Sequence, residues 1–188
     1  WCGMKWSVAR AFKTDQNEPG DVIPAGTEFV QKLVSVLEIV DAKKRRVVLV
    51  AQSAGSIYVM ALLNAVAAYT QDHPKERDDL AGKFDVILTA PAITFNDFAK
   101  KWPAAKPLVG NLRIFALTNA REYQDGLTDP AFGALHYIAP HYRHSLLYFV
   151  SGALEPVRDT PLVGMQRFWC SPVYQADADV QSVATALK

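Results

Sequence analysis

Ser53 is the residue whose surroundings most clearly suit chemistry. It lies in Val47-Val48-Leu49-Val50-Ala51-Gln52-Ser53-Ala54-Gly55-Ser56, where a β-branched apolar run gives way to small residues and then to an Ala-rich stretch. A strand that turns this abruptly into a helix places the serine at the apex, in strained backbone. Its hydroxyl then stands beyond the carboxyl edge of the sheet. Small residues at Ala51 and Gly55 let strand and helix approach closely. The new helix directs N–H groups and its positive end toward a developing oxyanion, with Ala54 as the first donor and Gln52 beside it on the substrate side. The plainer reading of the same residues is a serine that caps a helix.

A serine hydroxyl is a poor nucleophile at neutral pH without a base, normally a histidine oriented by a carboxylate. The chain has four histidines. His73 falls in a polar connection, whereas His136, His141 and His144 cluster in an aromatic-rich stretch around Pro140. His141 and His144 are equal candidates for the base, against a plainer role as hydrogen-bonded loop residues. The pair His141-x-x-His144 has no partnering acid pattern, so no metal site is expected. No Gly-rich phosphate loop is present, and no cofactor is expected.

The segment Ala51 to Gly55 resembles the nucleophile elbow of α/β-hydrolases, with Ala51 in place of the commoner glycine. Leu88-Thr89-Ala90-Pro91-Ala92 is similar to the strand end that follows the elbow helix in that family. The resemblance runs from about Arg46 onward. It implies a serine esterase or lipase-like enzyme acting on a small-molecule acyl substrate: a carboxylic ester, lactone or thioester. It further implies a triad acid between Thr118 and Asp129, where Asp125 is preferred and Glu122 and Asp129 are alternatives. The family's histidine follows the last strand, yet no histidine follows Val150; Glu155 and Asp159 occupy that region. The amino-terminal strands are expected to be reduced or missing, the chain being either a minimal form or a fragment of a larger hydrolase. Trp1-Cys2-Gly3-Met4 would be the remnant of the loop giving the second oxyanion donor, through Gly3 and Met4. An elbow without an efficient base would instead mark a binding or interaction module, because fold does not guarantee function.

The elements that must position these residues follow from hydrophobic patterning. Arg46 to Ala51, Phe84 to Thr89, Leu112 to Leu117 and Ser145 to Val150 are continuous apolar runs without clean alternation. They suit strands of a parallel sheet covered on both faces. Thr27 to Val40 carries Phe29, Leu33, Val36, Leu37 and Val40 at helical spacing. Gly55 to Tyr69 reads as the elbow helix, and Ala176 to Lys188 as a weaker one. Trp102 to Pro107 and Ala139 to Pro140 read as loops. The expectation is an α/β fold: one domain over 1–188, a mostly parallel central sheet flanked by helices.

Composition narrows the function class. A net charge of +1 gives no reason to expect nucleic acid as a partner. The basic cluster Lys43 to Arg46 is local and suits a helix end. No apolar stretch reaches the roughly 20 residues of a membrane span. Cys2 and Cys170 make no disulfide framework, and a cytoplasmic location with free thiols is expected. Asp159-Thr160-Pro161-Leu162-Val163-Gly164-Met165 is a distinctive segment to which no chemistry is assigned.

Overall fold

The computed structural model describes residues 1–12, 23–40, 46–71, 73–125 and 144–187. Three of the four apolar runs form strands, β1 (Val47–Gln52), β2 (Phe84–Thr89) and β3 (Val109–Phe115). They make one parallel sheet in the order β1-β2-β3. The β1–β2 register is unbroken from Val47↔Phe84 to Gln52↔Thr89. The β2–β3 register slips once, between Phe84 and Asp85.

Two crossovers build the sheet. β1 leads into α3 (Gly55–Tyr69) and α4 (Pro74–Leu80), and β2 leads into α5 (Phe95–Ala105). Because the strands advance in one direction, right-handed connections put α3 and α5 on the same face. That face buries Phe84, Val86 and Leu88 against Ile57, Met60, Leu63, Phe98 and Trp102. The opposite face differs from the expectation of two-sided cover. Val48 is 59% exposed, Val50 67% and Phe115 54%. Only β1 is apolar on both sides; on the uncovered face β2 and β3 present Asp85, Asn111 and Arg113, with Asp85 bonded to Arg46 and Asn111, and the handedness of the connections places both crossover helices on the other side.

Before the sheet lie α1 (Cys2–Phe12) and α2 (Ala25–Ile39). The helix expected at Thr27 to Val40 is therefore present, but its buried side is different. Val30, Val34 and Leu37 are buried, whereas Phe29 and Val36 are exposed. Apolar residues occupy more than one stripe of α2, and tertiary packing selects among them. Gly26 permits the close approach of α1, since a Cβ there would lie 2.5 Å from the Ala11 carbonyl oxygen.

Two further expectations are corrected. The stretch Trp102 to Pro107 is not a loop: Pro103 lies inside α5, which runs on through a 3₁₀ turn at Lys106–Leu108 into β3. Ser145 to Val150 is not a strand. Ser145 accepts the Tyr148 amide hydrogen through its hydroxyl and starts α7 (Leu146–Phe149), which continues as a π turn over Val150–Leu154. An N-capping serine and a short apolar run fit a helix as readily as a buried strand. α6 (Asn119–Gln124) follows β3, and α8 (Gln166–Cys170), α9 (Pro172–Gln175) and α10 (Ala178–Ala186) complete the described chain. α10 fulfils the helix expected near the carboxyl end. The Asp177 side chain caps it, and Val180 and Val183 are buried in the core. Among the described residues, no helix is long and apolar enough to cross a membrane. Cys2 and Cys170 are free and exposed.

The segment Asp159 to Met165 acquires a structural role. Val163 N–H donates to the Ile93 carbonyl at 3.0 Å, and Gly164 N–H donates to the Pro91 carbonyl at 2.8 Å. Phe95 N–H donates to the Pro161 carbonyl at 3.0 Å. Leu162, Val163 and Met165 are buried, and Met165 forms a parallel bridge with Leu117 just beyond β3. A Cβ on Gly164 would lie 2.5 Å from the Pro91 oxygen and 2.7 Å from the Ala90 carbonyl carbon. These are backbone atoms that cannot rotate away. Gly164→Ala is expected to destabilise the protein by about 1–3 kcal/mol through overpacking. The urea midpoint would fall accordingly, and an unchanged midpoint would show that the contact relaxes.

Candidate active site

The geometry around Ser53 starts with its backbone. Its φ is +49°, a left-handed value that L side chains rarely adopt. Gln52 ends β1 and Gly55 opens α3, so the reversal is confined to Ser53 and Ala54. A Cβ on Gly55 would lie 3.3 Å from the Ala51 Cβ, so the two small residues do face each other across the bend.

Backbone hydrogen bonds hold this turn from both sides. Ser53 N–H donates to the Thr89 carbonyl at 3.0 Å, extending the β1–β2 ladder by one residue. The Ser53 carbonyl accepts from Ser56 N–H at 3.1 Å and Ala92 N–H at 3.1 Å. The neighbouring strand ends in the same way: Ala90, next in register after Thr89, has φ +44°, and its N–H donates to the Phe115 carbonyl at 2.7 Å. The sequence marked Ala90 only as part of a familiar strand end and did not mark its backbone reversal.

Ser53 and Ala54 are half-buried, and Gln52 is exposed. Among the described residues, no side chain is hydrogen-bonded to the Ser53 hydroxyl, and the N–H groups of Ala54 and Gly55 have no acceptor. A half-buried serine thus adjoins in sequence the unpaired amides of Ala54 and Gly55 at the start of a 15-residue helix. Such an arrangement can host a tetrahedral oxyanion.

The candidate acids differ sharply. Glu122, on α6, is only 1% exposed. One carboxylate oxygen accepts the Ser145 hydroxyl proton, and the other is buried with no hydrogen-bond partner among the described residues. Ser145 N–H also donates to the Glu122 carbonyl at 2.9 Å. Burial pushes the Glu122 carboxyl above its ordinary value. The hydrogen bond from Ser145 opposes this, the nearby Asp125 charge reinforces it, and Arg167 opposes it. Asp125, the acid preferred from sequence, is exposed at the end of α6. Asp129 lies outside the described residues.

His144 directly precedes Ser145, whose hydroxyl and amide both bond Glu122. His144 is half-buried, with its ring edge-on to Tyr123 at 4.6 Å and tilted against Tyr148 at 5.4 Å. Tyr148 donates from its hydroxyl to Asn119 Oδ1 at 2.5 Å. Its pKa is pushed up to about 12, chiefly by burial. No hydrogen bond joins Ser53 to Glu122 or His144. His136 and His141 lie outside the described residues. His73 sits at the opposite end of α3, stacked on Tyr69 at 4.6 Å and bonded through Nδ1 to the Tyr69 carbonyl at 2.8 Å.

Gly3 and Met4 form part of α1 and are exposed, so the segment expected to be an oxyanion loop is a helical turn instead. Glu155, placed by sequence in the histidine region, ties down the start of the chain. Its Oε1 accepts Trp1 Nε1–H at 2.6 Å and Lys5 Nζ–H at 2.5 Å. Asp159 pairs with Arg167 at 2.8 Å. Among the described residues, no group of three or more His, Cys, Asp or Glu is placed to hold a metal. No protein-family model, no curated protein and no solved structure matches the chain.

The raised pKa of Glu122 has a signed consequence. A carboxyl whose folded pKa lies above its unfolded value gives its full contribution to stability below the unfolded pKa and loses it as pH rises through the folded one. Glu122→Gln removes that loss while keeping an acceptor for Ser145. The variant is expected to gain stability relative to wild type between about pH 4 and about pH 7, read from urea midpoints at both. An offset equal at the two pH values would show that Glu122 does not titrate across this range.

Proposed function

We propose that this chain is an α/β-hydrolase-type serine hydrolase, cleaving a carboxylic ester, lactone or thioester through an acyl-enzyme on Ser53. The observation that carries the reading is the left-handed Ser53 at the strand-to-helix bend, with its hydroxyl uncommitted among the described residues. Strain at one non-glycine residue is a cost of order 1–3 kcal/mol, and it gathers at functional sites.

In this mechanism Ser53 Oγ attacks the substrate carbonyl carbon while an imidazole takes the hydroxyl proton. The Ala54 N–H faces the oxyanion, with Gly55 N–H beside it. Collapse breaks the bond to the leaving oxygen or sulfur, which takes the proton back from the imidazolium. Water then attacks the acyl-enzyme with the same base accepting its proton, and the acid is released. His144 is the described residue that best suits the base, with His141 the alternative from sequence. For the orienting acid the candidates remain Asp125, exposed at the end of α6, and Glu122, buried and bonded to Ser145, the chain neighbour of His144.

A second reading is a binding module without efficient catalysis. It is favoured by one observation: no imidazole among the described residues is hydrogen-bonded to the Ser53 hydroxyl. Catalytic hydrogen bonds often tighten only once substrate is bound, so reactivity decides between the readings.

Reaction with a fluorophosphonate decides between them. The hydrolase reading expects a covalent adduct on Ser53, absent in Ser53→Ala, and hydrolysis of p-nitrophenyl acyl esters. His144→Ala should lower that rate by about 10²–10⁴-fold if His144 is the base. A folded wild type that neither labels nor hydrolyses would overturn the hydrolase reading and leave the binding module.

A further inference from the structure

We propose that Ser56 is a positioning residue for Ser53, fixing the nucleophile by joining the bend to the β2–α5 loop; the proposal rests on the hydrolase reading. Ser56 lies in the first turn of α3 and is 0% exposed. Its hydroxyl donates to the Ser53 carbonyl at 2.7 Å and accepts from Ile93 N–H at 3.1 Å. Both functions of the hydroxyl are therefore used inside the protein.

These bonds belong to a longer chain of contacts. Ala92, beside Ile93, donates its N–H to the same Ser53 carbonyl at 3.1 Å. The carbonyls of Ile93 and Pro91 are held in turn by the amides of Val163 and Gly164. The segment Asp159 to Met165 thus grips the β2–α5 loop, and that loop grips Ser53 through Ala92 directly and through Ser56. Among the described residues the Ser53 carbonyl accepts from three donors: Ser56 N, Ser56 Oγ and Ala92 N.

Removing the hydroxyl has two effects. It takes away the shortest of those three bonds, and it leaves the buried Ile93 N–H without its acceptor. An unpaired buried amide is costly, so the loop must shift to find water or another partner. A shifted loop also moves Ala92, and the left-handed turn loses part of what holds it. Relaxation there swings the Cα–Cβ bond of Ser53 and displaces its Oγ. Misplacement of a reacting atom by about 1 Å can cost about 10²-fold in rate. Ser56 touches neither substrate nor base, so the loss falls on the attack of Ser53, read as kcat/KM, and leaves the base's pKa as it is.

The test compares wild type with Ser56→Ala in fluorophosphonate labelling of Ser53 and in p-nitrophenyl ester hydrolysis, with the folded fraction of each set by urea unfolding. The expected result is a labelling rate and kcat/KM lower by about tenfold or more. The midpoint of the pH–rate profile of kcat/KM should be unchanged. Labelling of folded Ser56→Ala at the wild-type rate would overturn the positioning role alone. A wild type that does not label overturns the hydrolase reading and this role with it. If Ser56→Ala loses its cooperative unfolding transition, Ser56→Cys, similar in volume and a weaker donor, is read by the same outcomes.

Discussion

A serine at φ +49° opposes the steric preference of every L-residue by about 1–2 kcal/mol. The turn can persist only where its surroundings hold it on all sides. Its amide is fixed by the last rung toward β2, its carbonyl by the helix it starts and by the loop beyond β2. The in-register pairing of β1 with β2 is what brings Thr89 and Ala92 to the right height for this. A slip of one residue would turn the side chains of β1 to the other face and carry the hydroxyl away from the rim.

The same constraint explains why the molecule invests buried surface far from Ser53. Leu162, Val163 and Met165 are apolar anchors, and between them Gly164 gives up its side chain so that backbone can lie on backbone. The reversals at Ser53 and Ala90 end two adjacent strands alike at the carboxyl rim of the sheet, each with its amide bonded to the next strand. Ligands of open α/β sheets bind at such rims. The cluster of Glu122, Ser145, His144 and Tyr148 is organised separately, by α6 and α7, around a carboxyl that burial keeps from ionising easily.

Part of this was legible in the residues and part was not. The bend was legible because a β-branched run, small residues and an Ala-rich stretch all specify one local geometry, from Val47 to Tyr69. The first three strands were legible because their apolar runs are bounded by polar or turn residues. Ser145 to Val150 misled because six apolar or small residues carry no period that separates strand from helix. The face of α2 misled because Phe29 and Val36 are as apolar as Val30 and Val34, and only packing distinguishes them. Pro103 suggested a break but is accommodated within α5. The burial of Glu122 and the use of the Ser56 hydroxyl depend on contacts across long stretches of chain, which spacing along the sequence does not encode. Helix capping by Ser145 was encoded locally, but its meaning required knowing that Glu122 lay beside it.

The bare side of the sheet has a consequence for how the protein behaves in solution. Val48, Val50 and Phe115 meet water on a surface whose other side is dry core. β1, at the margin of the sheet, contributes two of them from a hexapeptide without a single charge. An uncharged strand margin invites association, and excluded salts such as sulfate strengthen the tendency by penalising wetted apolar area; the Arg46–Asp85 ion pair and Asn111 beside it oppose it. The two sides of one three-stranded sheet therefore govern different properties: the covered side sets thermodynamic stability, and the wetted side sets colloidal stability.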